Sequence, residues 1–376
     1  MQKLLILTRW YLPATKSGGT VRSIRPLVKG LKDDFDITIL TSNKDLGSDK
    51  PYEGVVFDHL TTYDDTKIIY LSVLNIKNIY KQIKSVNPDI IYVNSFFDIT
   101  TQIVLLLNYF KRLNVKIILS PRGELGEGAL SIKSHKKNIY LTLHKLLNLS
   151  KGIVYHATGN EDVKDIRKIF SKNEIQNLTN LSEDIEINFP LPVKEVDKLK
   201  MVFISRIAPK KNLDYALEIL EKYTFNGFIE FDIYGPDEDF EYWQKCQKII
   251  AKMPNNIKVN YKGFVNPSLI KKTLSNYHLF FFPTKGENFG HAIVESMQVG
   301  LIPLISDKTP WLELEQLHVG FSLSLGNTDA FGNAIKEMLL LSNEDFLQYS
   351  KNTKTYIEKK IDNRKNIEEY KILLSN

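Results

Sequence analysis

The chain has 376 residues, of which 43% are hydrophobic, a net charge of +6 and one cysteine. This length and hydrophobic content favour two folded domains and exclude a largely disordered protein, and the single Cys246 excludes a disulfide framework and a cysteine-based zinc site. No apolar run approaches the ~20 residues of a membrane span. The apolar run in the first residues, MQKLLILTRWY, is too short for a signal peptide. We therefore expect a cytoplasmic protein.

The first half of the sequence alternates short apolar runs with segments of helical periodicity. Strands are predicted at residues 3–8, 37–40, 55–57, 68–71, 90–93, 116–119 and 153–156. Helices between the later strands predict an α/β fold with a doubly wound parallel sheet, whose ligands bind beyond the carboxyl ends of the strands.

Three features follow predicted strands in this half. Gly18-Gly19 precede a predicted helix at 20–31, so that either a phosphate can come close to the backbone or the glycines only form a tight turn. The surrounding sequence does not fit G-x-G-x-x-G, which disfavours a nicotinamide dinucleotide site. Asn94 follows the strand at 90–93. Arg122 follows Pro121, where its guanidinium suits a phosphate or carboxylate ligand, with a structural salt bridge as the alternative.

The segment 130–151 is basic and contains no acid. It carries the basic residues Lys133, His135, Lys136, Lys137, His144, Lys145 and Lys151 and an apolar stripe of Ile132, Ile139, Leu143, Leu146 and Leu147. A basic amphipathic helix suits an anionic membrane surface. The alternative is a core helix with a solvated lysine face, and the sequence leaves both open.

A domain boundary is predicted at Phe189-Pro190-Leu191-Pro192, because prolines end helices and stiffen linkers. This gives domains at 1–190 and 191–355, with a C-terminal helix at 356–376.

The second domain begins with a strand at 199–204, followed by a turn that contains Arg206 and Lys211. Their five-residue separation lets both cations converge on one polyanion at the sheet edge, although a structural role is the alternative. Later strands at 229–234 and 257–261 end at Gly235 and just before Gly263-Phe264, which from sequence alone are compatible with ordinary turns.

Residues 279–305 predict a β-α-β unit with a strand at 279–282, a helix at 289–299 and a strand at 301–305. The loop before the helix offers unsatisfied backbone N–H groups to an anion, as a phosphate requires. Glu287 lies in this loop and Glu295 about six residues into the helix, so two acids frame the helix end. A sugar nucleotide has the matching shape, with a sugar, a diphosphate and a ribose. The alternative is an acid favoured by the helix dipole and a second, solvated one.

Glu287 and Glu295, with Asn288-Phe289-Gly290 after the first, resemble the E-x7-E signature of family-4 glycosyltransferases. The segment from Arg206 to Lys211 resembles the G-R-L-x-x-x-K-G segment of that family. Ser120-Pro121-Arg122-Gly123-Glu124 resembles a block of its bacterial polysaccharide-assembly members. The chain departs from these patterns by Asn288, Ser205 and Asn212 for Gly, Ser296 and Gln298 for Ala, and Asn94 for a histidine.

The resemblance implies the GT-B fold, in which two Rossmann-like doubly wound parallel-sheet domains face a cleft and the C-terminal helix crosses back to the first domain. It implies a retaining, metal-independent transfer of a sugar from a nucleotide diphosphate to a hydroxyl. The expected acceptor is a lipid-linked saccharide in capsule or lipopolysaccharide synthesis. The alternatives are a nucleotide-sugar 2-epimerase of the same fold and a non-catalytic partner subunit.

The resemblance also assigns roles to residues. Arg206 and Lys211 would neutralise the diphosphate, Glu287 would hold donor-sugar hydroxyls and Glu295 the ribose hydroxyls. The other donor-side residues would be Gly18, Gly19, Gly235, Phe264, Asn288, Phe289 and Gly290, and the acceptor-side residues Asn94 and Arg122. UDP is the nucleotide that the family favours. No metal or other cofactor is expected, and no nucleic acid partner.

Overall fold

The computed structural model describes residues 1–131, 134–183 and 189–375, which form two compact units. Unit 1 comprises Met1–Glu183 together with Asn363–Asn376, and unit 2 comprises Asp184–Asp362.

Unit 1 is built on an eight-stranded sheet. Its strands are β1 (Gln2–Leu7), β2 (Phe35–Ser42), β3 (Leu60–Tyr63), β4 (Thr66–Leu71), β5 (Ile90–Asn94), β6 (Lys116–Ser120), β7 (Ile153–Ala157) and β8 (Ile175–Asn177). Their order across the sheet is β3-β4-β2-β1-β5-β6-β7-β8, and all neighbours are parallel except β3 and β4. The helices are α1 (Gly18–Leu31), α2 (Ile76–Val86), α3 (Ile99–Tyr109), α4 (Glu127–Ser131), α5 (Ser134–Leu146) and α6 (Asn160–Ile169).

The unit 1 sheet is covered on both faces, which explains why its central strands are almost entirely apolar. One face packs Leu5 and Leu7 against α2, α3 and α6. The other packs Leu4 and Ile6 against α1 and the C-terminal helix, whose Tyr370, Leu373 and Leu374 are buried there.

Unit 2 has a six-stranded, fully parallel sheet. Its strands are β9 (Lys198–Ile204), β10 (Phe228–Tyr234), β11 (Ile257–Gly263), β12 (Leu279–Phe282), β13 (Ile302–Ser306) and β14 (Phe321–Leu323), in the order β11-β10-β9-β12-β13-β14. The helices are α7 (Leu213–Lys222), α8 (Phe240–Ile250), α9 (Ile270–Leu274), α10 (His291–Gln298), α11 (Thr328–Leu340) and α12 (Asn343–Lys360), and α13 (Asn363–Ser375) returns to unit 1.

Each sheet has a point at which the strand order reverses. In unit 1 the chain builds outward from β1 through β2 and then continues at β5 on the other side of β1. In unit 2 it builds from β9 through β10 and β11 and then continues at β12 on the other side of β9. In open α/β sheets, ligands bind outside the carboxyl ends of the strands at such a reversal. The two doubly wound parallel sheets confirm the predicted fold class.

The predicted strand at 55–57 is wrong. Only an isolated bridge joins Phe57 to Tyr70, and β3 lies further on, antiparallel to β4. Asp64 and Asp65 connect β3 and β4 with φ of +48° and +56°. Two consecutive left-handed residues form the type I′ turn that matches the twist of a hairpin, and this turn fixes the strand pairing.

The unit boundaries differ from those expected at 190/191 and 355/356. Phe189 and Leu191 pack against the core of unit 2, so the change of unit precedes the prolines. Tyr356 packs against the same core, and the expected single terminal helix is divided at Ile361 and Asp362 into α12 and α13.

Candidate functional site

The strand reversal of unit 2 brings two loops together, one after β9 and one after β12. Asn212, the residue before α7, has a left-handed φ of +61°, which asparagine tolerates better than most residues. Its side-chain Nδ2 donates to the carbonyl of Pro283 over 2.9 Å, and the N–H of Lys285 donates to the carbonyl of Lys210 over 2.9 Å. These bonds fix the position of Lys211 relative to the second loop.

Lys211 and Glu287 form an ion pair between these loops. Lys211 Nζ lies 2.5 Å from Glu287 Oε1, and each side chain is only 15% exposed. The Thr284 hydroxyl lies 3.1 Å from the same carboxylate oxygen, and the Phe282 ring lies 5.4 Å from the ammonium. A cation and an acid that were predicted separately therefore form one partly buried pair at the reversal of the sheet.

The loop after Glu287 leads into α10. Gly290, which precedes the helix, has a φ of +76°, in the left-handed region that favours glycine. Phe289 is buried beside Trp311, whose indole Nε1 donates to the Phe289 carbonyl over 2.6 Å. This packing fixes the start of α10. The first backbone N–H groups of a helix have no hydrogen-bond acceptor within the helix. Glu295 lies half-buried in the second turn.

Asn288 contributes a buried amide to this loop. Its Nδ2 is inaccessible to solvent and has no hydrogen-bond partner among the described residues. Buried polar groups are nearly always paired, so an unpaired donor beside Glu287 needs an explanation. Because this nitrogen is inaccessible to solvent, a ligand oxygen could reach it only if the loop rearranged.

Arg206, in the loop after β9, pairs with Glu238 rather than with Glu287. The NH1–Oε2 distance is 3.1 Å, and the two side chains are 51% and 37% exposed. An exposed pair of this kind contributes little to stability, so a phosphate can compete for the guanidinium.

Gly235 and Phe264 lie at the ends of β10 and β11. Gly235 has a φ of +141°, and a Cβ atom there would come within 1.7 Å of the carbonyl oxygen of Ser205. Only glycine therefore allows the ends of β9 and β10 to come so close. Phe264 follows Gly263 and is 50% exposed, so its ring is available to a ligand.

Gly18 and Gly19 form the first residues of α1 rather than a loop before it. A Cβ atom at Gly19 would meet nothing within 4 Å, and one at Gly18 would only approach Arg22 Nε at 4.0 Å. The packing of the chain itself does not require glycine here, which leaves room for a ligand close to the backbone.

Arg122 and Asn94 are brought together at the carboxyl edge of the unit 1 sheet. Arg122 Nε donates to Asn94 Oδ1 over 2.9 Å, and Arg122 NH1 donates to Asn180 Oδ1 over 2.7 Å. Glu124 accepts from the Ser95 hydroxyl over 2.5 Å and from the Phe97 N–H over 3.0 Å. Burial raises the pKa of Glu124.

Helix α5 exposes the apolar residues predicted to form a stripe. Ile139, Leu143 and Leu146 of α5 are 53%, 51% and 76% exposed, and Leu147, directly after the helix, is 43% exposed. These four side chains are together called the exposed apolar face of α5. Lys136 and Lys145 on the same helix are exposed as well. The predicted residues Ile132 and Lys133 lie outside the described residues. Within the described ranges, no helix has the length and apolarity needed to cross a bilayer.

Sequence reasoning missed three partners of these residues. Thr284 is the second residue after β12, and a hydroxyl so close to a strand end is a weak signal for a ligand loop. Glu238 and Asn180 gave no local signal, because they approach Arg206 and Arg122 through tertiary contacts. Within the parts of the chain that are described, no three His, Cys, Asp or Glu side chains are grouped as metal ligands.

Comparison with known proteins places this geometry in context. Residues 184–359 match the family described as "Glycosyl transferases group 1". An uncharacterized glycosyltransferase of Methanocaldococcus jannaschii is 25% identical over 136 residues, which are 36% of this chain and 34% of that protein. The matched stretch thus spans about a third of that relative's length.

Three solved structures illustrate the similarity of fold. Sucrose-phosphate synthase from Thermosynechococcus elongatus has a TM-score of 0.76 at 12% identity, with coverage of 99% of this chain and 98% of that one. HepE of Anabaena, in complex with UDP and glucose, has a TM-score of 0.73 at 14% identity over 100% of both chains. WaaG, a glycosyltransferase involved in lipopolysaccharide biosynthesis, has a TM-score of 0.68 at 11% identity over 99% of this chain and 100% of that one.

Proposed function

Since residues 184–359 belong to the group 1 glycosyltransferases and the chain has the GT-B fold, we propose that it transfers a sugar from a nucleotide-diphosphate sugar to an acceptor hydroxyl, with retention of anomeric configuration. The observation that carries this proposal is the Lys211–Glu287 ion pair at the strand reversal of the matched unit. A cation beside an acid at this position suits a ligand that combines a diphosphate with sugar hydroxyls.

The chemical demand is charge neutralisation at the leaving group. The bond from the anomeric carbon to the phosphate oxygen breaks, a bond to the acceptor oxygen forms, and the acceptor proton passes to the departing phosphate. Negative charge grows on the diphosphate during this step, and preorganised cations and N–H donors stabilise it. Lys211, Arg206 and the first-turn amides of α10 supply these groups in the proposal, without a metal ion.

The other donor-side roles follow from the same placement. Glu287 keeps a second carboxylate oxygen for donor-sugar hydroxyls, and Asn288 follows it in the same loop. Glu295 binds the ribose, and the exposed Phe264 ring borders the base. The space above Gly18 and Gly19 accommodates the donor or acceptor in unit 1. UDP is the proposed nucleotide, and the complex of HepE with UDP and glucose supports this choice.

Incubation with a panel of UDP-, GDP- and ADP-sugars, together with lipid extracts and saccharide acceptors, tests the function. We expect transfer from a UDP-sugar that is insensitive to a metal chelator and gives a product with the donor's anomeric configuration by NMR. A 2-epimerised sugar without transfer would indicate the epimerase alternative. Nucleotide binding without turnover of any donor would indicate a non-catalytic subunit.

Replacing Glu295 with alanine should weaken UDP binding about 10- to 100-fold, because the ribose hydroxyls lose a charged acceptor that contributes roughly 1.5–3 kcal/mol. Calorimetry should compare UDP with 2′-deoxy-UDP on the wild type and the variant. The wild type should prefer UDP, and the variant should bind both alike. A preference for UDP that persists in the variant would refute the ribose assignment.

We further propose that the acceptor is a lipid-linked saccharide and that unit 1 meets an anionic membrane surface through α5. The exposed apolar face of α5 supports this, since its four side chains follow helical spacing and lie near exposed lysines. Apolar insertion and lysine attraction to anionic headgroups act together in interfacial helices.

The charge-reversing double variant Lys136→Glu/Lys145→Glu should lower the binding constant for anionic vesicles, measured by co-sedimentation at low salt, by at least about thirtyfold. Each lysine contributes about 1 kcal/mol near such a surface, and salt screens this term. A matched reversal of two exposed lysines, Lys248→Glu on α8 and Lys252→Glu just after it, should leave binding unchanged. Equal losses in both variants, or wild-type protein that never sediments, would contradict the membrane proposal but not the transferase proposal.

A further inference from the structure

We propose that Arg122 binds an anionic group on the acceptor, so that the preferred acceptor is a saccharide bearing a phosphate or a carboxylate. This inference rests on the proposed sugar transfer and names the acceptor class of that reaction. It is carried by the way the structure holds the Arg122 guanidinium.

The protein partners of Arg122 are neutral. Two of its nitrogens donate to the side-chain oxygens of Asn94 and Asn180, which are 1% and 5% exposed. Buried amide oxygens orient a guanidinium without neutralising it. An arginine with a purely structural role more often pairs with a carboxylate, whose charge offsets the desolvation penalty of partial burial.

No carboxylate among the described residues comes within ion-pair distance of Arg122. A guanidinium has five N–H donors, and the two bonds to Asn94 and Asn180 use two of them. The remaining donors include a terminal nitrogen that can take part in a bidentate bond to a phosphate or carboxylate.

The surrounding acids hold the loop rather than the arginine. Asp162 accepts from the Gly123 N–H over 3.2 Å and from the N–H of Thr158 over 3.0 Å, and it fixes the turn that carries Arg122. Glu124 is bonded to Ser95 and to the Phe97 N–H. The Asp162 carboxylate interacts with the Arg122 guanidinium electrostatically, without a hydrogen bond or an ion pair between them.

The location of Arg122 matches that of a ligand-binding residue. Asn94 ends β5, the strand at which the order of unit 1 reverses, and its Nδ2 donates to the carbonyl of Leu7 at the end of β1 over 3.3 Å. Arg122 is thereby attached to the carboxyl ends of the two strands that flank the reversal. Ligands of open α/β sheets bind at this place.

Arg122 also has an unusual backbone conformation. Arg122 has a φ of +52°, which is rare for a residue with a long side chain, and Gly123 follows with a φ of +73°. This turn directs the chain so that the guanidinium reaches Asn94 and Asn180. Such conformations cluster where a side chain must be held for function.

Calorimetry with three probes tests the proposal on the full chain, with saturating UDP present to occupy the nucleotide site. The probes are glucose, glucose 1-phosphate and galacturonic acid. The wild type should bind at least one anionic probe at least tenfold more tightly than glucose, and the stronger of the two identifies phosphate or carboxylate. Arg122→Gln should remove this preference. Arg122→Lys should retain part of it, and Arg167→Gln, which changes an exposed arginine of α6, should retain all of it.

Absence of any preference for the anionic probes in the wild type would overturn the proposal. So would a preference that survives in Arg122→Gln. If Arg122→Gln has an altered melting temperature, Arg122→Lys takes its place in the comparison. In Arg122→Lys the charge remains but the bidentate geometry is lost. Transfer is measured separately with the panel of donors and acceptors described above, so that failure of the transferase proposal is distinguishable from failure of anion binding.

Discussion

Replacing Lys211 with methionine should lower kcat about 10²- to 10³-fold, with a smaller change in the KM for the donor. In the proposed reaction, the ammonium would stabilise negative charge that grows on the diphosphate as the bond breaks, and loss of one such group has an effect of this size. Steady-state kinetics with the UDP-sugar identified by the panel measure both constants.

A double-mutant cycle with Glu287→Gln separates catalysis from ion pairing. If Lys211 only neutralised Glu287, its replacement would have little further effect once the carboxylate is gone. We expect Lys211→Met to lose at least another tenfold in kcat in the Glu287→Gln background. No further loss in that background would assign Lys211 to positioning of Glu287, and thermal unfolding of each variant checks that the loops remain folded.

Replacing Gly235 with alanine should destabilise unit 2 by about 3 kcal/mol or more. The new Cβ would stand 1.7 Å from the Ser205 carbonyl oxygen, so the ends of β9 and β10 must move apart. Because Arg206 directly follows Ser205, nucleotide binding should weaken together with stability. Urea unfolding followed by tryptophan fluorescence in a Trp10→Phe background reports on unit 2, which contains Trp243 and Trp311.

Gly263→Ala is the matched control for this substitution. Gly263 also has a left-handed φ, of +71°, but a Cβ atom there would meet nothing within 4 Å. Its replacement should therefore cost only the conformational penalty of about 1–2 kcal/mol. Equal destabilisation by the two substitutions would show that the close approach to Ser205 is not what requires glycine at residue 235.

Local sequence patterns predicted the parts of the site that lie within one β-α unit. The apolar run of β12, the break at Pro283 and the helical spacing of α10 are encoded by neighbouring residues, and the structure has each element within about two residues of its expected position. The positions of Lys211 and Glu287 between a strand and the next helix followed from the alternation of strands and helices. Their direct pairing did not, because it depends on β9 and β12 being neighbours in the sheet.

Features that depend on tertiary contacts were beyond the sequence. The periodicity of residues 130–151 is the same whether the apolar stripe packs inward or faces outward, and the structure exposes Leu143 and Leu146. The amide oxygens that hold Arg122 come from positions 28 residues before it and 58 after it. The boundary before Phe189 depends on which core its ring joins, which no linker composition reveals.

The return of α13 to unit 1 has a consequence for biosynthesis. Tyr370, Leu373 and Leu374 are buried against α1 and the first sheet, and a Cβ atom at Gly30 would come within 2.7 Å of Ile367. The side of the sheet that these residues cover remains open to water while unit 2 is being translated. Unit 1 begins first on the ribosome but is completed second, so a nascent chain exposes the groove beside α1 to chaperones until α13 emerges.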